Sequence, residues 1–193
     1  MTNLKQPEVE PLTRTQVLVA MAVTSAILLA IAKGWQQLGS VRLLPLEVSP
    51  TALGLGLGLA ALIIASSSTI YRLWPAYRRS ADVYLELVLR PLLWPDVIWL
   101  GLLPGLSEEL LFRGVMLPAL GLDVLAIALS SLLFGVLHLS GLQQWPYVVW
   151  ATLVGTVLGF SALLTGNLVV PVVAHIVTNC ASGCLWKWSQ RQA

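Results

Sequence analysis

Charge is what this chain has least of. Asp, Glu, Lys and Arg together make up 10% of its 193 residues, while hydrophobic residues make up 57%. An ordinary soluble domain carries about 25% charged residues. That imbalance excludes a conventional water-facing surface and points to an integral membrane protein, with the lipid bilayer as its first partner. A net charge of +2 is too small to attract nucleic acid, and no such partner is expected. Cysteine is nearly absent as well. Cys180 and Cys184 stand four residues apart in one apolar run and read as packing residues, not as a disulfide or a metal pair. Histidine is equally sparse, with His138 and His175 alone. No H-E-x-x-H occurs, so the helical zinc-protease signature is missing. Asp96 and Asp123 fall at run ends and cannot form an intramembrane aspartate pair. Ser140, in Leu139-Ser140-Gly141 beside His138, is only a weak candidate nucleophile.

Long hydrophobic runs are what the chain does have. Six of them, at about 16–34, 51–71, 97–122, 123–141, 145–165 and 167–188, approach the roughly 20 residues a span requires. The chain therefore reads as one domain, 1–193, an all-α polytopic transmembrane bundle of about six spans. Trp35, Trp74, Trp94, Trp99, Trp145, Trp186 and Trp188 fall near run ends, where aromatic belts belong. A possible cleavage site at Ala30-Ile31-Ala32 follows the first run, but Glu8 and Glu10 do not suit a basic leader, so a retained first helix is expected. With an inside N-terminus, the inner segments hold Lys5, Arg14, Arg72, Arg78, Arg79, Arg90, Lys187 and Arg191. The outer segments hold Lys33 and Arg42, which predicts both termini in the cytoplasm. Between the second and third runs, Arg79, Asp82, Glu86 and Arg90 recur at helical spacing within Ser80–Trp94. They predict a helix lying in the membrane interface, or a solvated helix braced by i,i+4 ion pairs. The pairs Gly54/Gly58, Gly101/Gly105 and Gly155/Gly159 predict close helix packing.

The third run carries Glu108, Glu109 and Arg113 in its middle. Three charges at the centre of a span cost about 8–10 kcal/mol on the insertion scale unless partners are waiting. Glu109 and Arg113, four apart, share a helix face and can neutralise each other. Glu108 points about 100° away and is a surplus carboxylate, the kind of group that burial turns into a general base. Pro104 cannot donate to Leu100 and should kink the helix one turn earlier. His138 lies in the fourth run and His175 in the sixth, with Asn179 one turn after His175 on the same face. At 1.5 Å per residue, Glu108 lies about 16 Å from the inner end of its run, and His175 and Asn179 about 12–18 Å. Three runs thus bring these groups to one inward-opening cavity, because exposure to lipid is prohibitive.

Glu108-Glu109-x-x-x-Arg113, Phe134-x-x-x-His138 and His175-x-x-x-Asn179 together resemble the motifs of the CAAX-protease and bacteriocin-processing family, which includes the type II CAAX prenyl endopeptidases. The resemblance covers roughly Val97–Asn179, in a family core of about 97–188. It implies an all-helical membrane endopeptidase with a cytoplasm-facing cavity. In it, Glu108 and His138 would activate water, His175 and Asn179 would stabilise the oxyanion, and Glu109 and Arg113 would hold the first carboxylate and help seat the substrate. The substrate would be a peptide or a membrane protein, and no cofactor is implied. Two alternatives stand beside this reading. Glu108, His138 and His175 form a two-histidine, one-carboxylate set that could bind a divalent metal. The chain could also be a non-catalytic scaffold or assembly factor that binds another membrane protein through its small-residue faces.

Overall fold

A computed structural model describes residues 12–192; Lys5, Glu8 and Glu10 lie outside the described residues. The helices are α1 (Arg14–Leu38), α2 (Pro50–Leu73), α3 (Pro75–Leu89), α4 (Val97–Glu109), α5 (Leu117–Leu120), α6 (Val124–Val136), α7 (Trp145–Thr165) and α8 (Val169–Ser189). A π-helical stretch, Leu110–Met116, joins α4 to α5 without a break. No strand occurs among the described residues. Local signals fix the ends. Thr13 and Gln16 form a reciprocal capping box at α1, Ser49 caps α2 ahead of Pro50, and the Asp123 side chain accepts from the Ala126 N–H at 2.8 Å. Gly166, at φ 62°, closes α7 in the left-handed conformation that glycine adopts most readily.

This is an integral membrane protein. Four segments, α1, α2, Leu142–Thr165 and α8, are long and apolar enough to cross a bilayer. A fifth is counted if α3 and Trp94–Leu120, bent by 110°, make one span. Two features reduce the six runs to that number. Trp94–Leu120 has the length but carries Glu108, Glu109 and Arg113 at its centre. The fourth run forms a helix of only 13 residues, Val124–Val136, about 20 Å long against a hydrocarbon core of about 30 Å. The polar helix expected over Ser80–Trp94 lies at Pro75–Leu89 instead, because Pro75 starts it directly after α2 and the chain leaves helical geometry at Pro91.

Packing centres on α8, which lies against both α2 and α4, while α7 pairs with α6 and α1 lies along α4 and the π-helical stretch. Small residues make these approaches possible. A Cβ at Gly105 would come within 2.5 Å of the Ile176 side chain, and one at Gly159 within 3.0 Å of Ile127. Gly54 and Gly58 do not follow this pattern, since nothing lies within 4 Å of a Cβ there. In α2 the contact residue is Gly56, against Val173, continued by buried Ala52 and Ala60. At one end of the bundle Asn167 clasps the α1–α2 loop, donating to the Glu47 carbonyl at 2.7 Å and accepting from its N–H at 3.1 Å. At the other end Arg14 bonds both oxygens of Asp96 at 2.7 Å, joining the starts of α1 and α4.

Candidate active site

Glu108 and Glu109 end α4 just before the backbone widens into the π-helical stretch, a feature that recurs at functional sites. The two carboxylates have different surroundings. Glu109 is fully buried, and one oxygen, Oε1, accepts from Arg113 Nη1 at 2.7 Å and from His175 Nδ1 at 2.7 Å. The second guanidinium arm, Nη2, donates to the Gly155 carbonyl at 2.8 Å. That approach needs the missing side chain of Gly155, where a Cβ would lie 3.1 Å from Nη2. The Phe134 ring covers the guanidinium at 4.6 Å, a favourable cation–π distance. The i,i+4 pairing of Glu109 with Arg113 is therefore present, with both members buried.

Glu108 faces the cavity. Its Oε2 lies 3.9 Å from His138 Nε2 and 3.9 Å from His175 Nε2, and this buried oxygen has no hydrogen-bond partner. That spacing exceeds a direct hydrogen bond and matches groups bridged through one small molecule. The turn after α6 and the helix α8 thus bring both imidazoles to one carboxylate at the end of α4. His138 differs in its placement: it lies not within a span but in the turn directly after α6, two residues past Val136. Its backbone N–H donates to the Gly135 carbonyl at 3.0 Å, and its Nδ1 meets the Phe134 carbonyl at 2.8 Å.

Both rings are fixed in the same sense. A carbonyl oxygen can only accept, and Glu109 Oε1 already accepts from an arginine, so each Nδ1 carries the hydrogen. In the neutral form each Nε2 then presents a lone pair toward a carboxylate oxygen. Three acceptors converging on one spot require a proton, a cation or a hydrogen-bond donor between them. No ready-made metal-binding set of three or more His, Cys, Asp or Glu side chains occurs among the described residues, so a metal at Glu108, His138 and His175 would need these side chains to rearrange.

Asn179 lines the same cavity, and its Nδ2 reaches the Leu100 carbonyl at 3.5 Å. That carbonyl is the one deprived of its helical donor by Pro104, so the amide provides a weak substitute while one N–H stays free. The cavity has a volume of about 560 Å³. Three of its contributors have no catalytic motif to mark them. Tyr84 from α3 stacks on Tyr147 from α7 at 4.7 Å, and their rings stand 6.5 and 6.2 Å from His138. Thr178 presents a buried hydroxyl without a partner. Only the i+3 spacing of Thr178 from His175 offered a signal for any of them.

Comparison with known proteins bears out the resemblance carried by the three motifs. Residues 90–181 match the profile of the family described as type II CAAX prenyl endopeptidase Rce1-like. The chain is also similar to the uncharacterized protein YpbD of Bacillus subtilis (strain 168), at 29% identity over 129 residues. That alignment covers 67% of this chain and 66% of YpbD, so the chain spans slightly less than two thirds of that relative. No solved structure matches.

Proposed function

We propose, with the Rce1-like character of residues 90–181 as the premise, that this protein is an intramembrane endopeptidase whose Glu108 and His138 activate water in a cytoplasm-facing cavity. One observation carries the reading: an unpartnered Glu108 oxygen 3.9 Å from both imidazole Nε2 atoms. Water placed there gives one proton to the carboxylate or to His138. Its oxygen attacks the scissile carbonyl carbon, and the collected proton passes to the leaving nitrogen. His175, as an imidazolium held by Glu109, and the free N–H of Asn179 then face the oxyanion. Glu109 and Arg113 position this set without touching the reacting atoms. The substrate is a peptide or a membrane protein. Both termini lie in the cytoplasm, the chain 1–193 works as one domain, and no cofactor takes part.

The test is a proteomic comparison of a wild-type strain with one carrying Glu108→Ala. Uncleaved precursors are expected to accumulate in the variant and would name the substrate. Rescue of a deletion phenotype by Glu108→Ala would instead favour a scaffold.

A second reading adds a divalent metal at Glu108, His138 and His175. It is favoured by the way each histidine donates its Nδ1–H to a carboxylate or a backbone carbonyl, the usual support of a metal-bound imidazole. Elemental analysis of protein purified without chelators separates the two readings. We expect less than stoichiometric metal and activity that survives chelation; one metal per chain, with activity lost on its removal, would establish the second.

A further inference from the structure

We propose that a second pocket, formed where the C-terminal turn of α8 meets α3 and the 90–96 connection, binds the phosphate of an anionic lipid headgroup. This pocket has a volume of about 580 Å³ and is separate from Glu108 and both histidines, sharing only Tyr71 and Trp186 with the cavity described above. Its charged lining comprises three cations, Arg90, Lys187 and Arg191, against two carboxylates, Asp82 and Glu86.

Both carboxylates are already engaged. Asp82 Oδ1 accepts from the Tyr71 hydroxyl at 2.6 Å, and Glu86 Oε1 accepts from Arg90 Nη1 at 3.0 Å. Asp96, beside the pocket residue Trp94, is held by Arg14 through two bonds. Lys187 and Arg191 have no carboxylate ion pair among the described residues. Their contacts instead set them in place. Lys187 donates to the Leu92 carbonyl, and the Arg191 guanidinium lies 4.8 Å from the centre of the Trp94 ring. Two oriented cations without a direct ion-pair contact among the described residues line a concave surface, and each can still donate hydrogen bonds to phosphate oxygens.

The location selects a lipid over a free ion. α8 is 21 residues long, about 31 Å, so its last turn reaches the headgroup layer when the helix crosses the bilayer. Trp94 and Trp186 line the pocket and Trp188 stands 62% exposed beside it, the residue type that marks the interface. Basic pockets between spans at this depth recognise anionic headgroups.

The experiment uses the full chain purified in detergent and titrated, under native mass spectrometry, with phosphatidylglycerol or phosphatidylcholine of identical acyl chains. Two cations predict a preference for phosphatidylglycerol of about thirtyfold. Lys187→Gln/Arg191→Gln is expected to abolish it, whereas Lys33→Gln/Arg42→Gln, away from the pocket, is expected to retain it. Should the first double variant misfold, Arg191→Glu alone serves, and it is expected to reverse part of the preference. Equal binding of the two lipids by the wild type, or an undiminished preference in the pocket variants, would overturn the proposal. Displacement of phosphatidylglycerol by an equal concentration of inorganic phosphate would overturn the assignment to a lipid.

Discussion

Glu108→Ala is expected to slow peptide cleavage by about 100- to 10,000-fold, the usual contribution of a positioned general base, with the fold unchanged. The two halves of that expectation have separate causes. The Glu108 side chain is 16% exposed, lies 3.9 Å from the Nε2 atoms of His138 and His175, and has one oxygen with no hydrogen bond at all. Its removal therefore breaks no bond that supports a helix and relieves a charge held away from water. Activity is the only thing it should cost. Cleavage measured on purified protein, beside a thermal unfolding curve in the same detergent, tests both halves. Full activity in the variant would remove Glu108 from the mechanism.

Arg113→Ala is expected to have the opposite profile, destabilising the protein by about 3–5 kcal/mol, the range found when one member of a buried ion pair is deleted. The guanidinium bonds Glu109 and the Gly155 carbonyl and lies over Phe134. Its loss leaves a fully buried carboxylate with only His175 as a partner. Arg113→Lys should restore little, because one ammonium cannot reproduce the planar fork that reaches two helices. Replacing both members, as Glu109→Leu/Arg113→Leu, should recover much of the stability, since the surviving charge is what costs most. Unfolding in mixed micelles measures the series, and an Arg113→Ala midpoint equal to the wild type would mean the pair contributes nothing.

Much of this site was legible in the sequence because charge in lipid is so expensive. Glu108, Glu109 and Arg113 identified themselves by breaking an apolar run, and four-residue spacing sufficed to pair the last two. The pairing of His175 with Glu109 was not legible. Which of two adjacent carboxylates meets a histidine 66 residues away depends on how α4 and α8 are rotated against each other, and hydrophobicity says nothing about that. His138 was placed inside a helix because Leu137 and Leu139 continue the apolar run, whereas the helix stops at Val136 and packing fixes the imidazole. Glycines alternate with leucines from Gly54 to Gly58, so three of them competed for one interface. Val173 selects the middle one. The identity of Asn179 as a substitute donor for the Leu100 carbonyl required the fold, although Pro104 had announced that the carbonyl would need one.

The widened stretch from Leu110 to Met116 also sets a phase. Helical bonds there skip an additional residue, as where the Leu117 N–H donates to the Phe112 carbonyl, so this rod holds more amino acids per turn than the α-helices beside it. Adding one residue to it, with no further widening to absorb the addition, would swing everything downstream by about 100° relative to Glu108 and Glu109. Val115 and Leu117, now wholly inside, would rotate out of the seams they fill. For this rod, residue count is as binding a constraint as residue identity, and an insertion there should be tolerated less well than most substitutions.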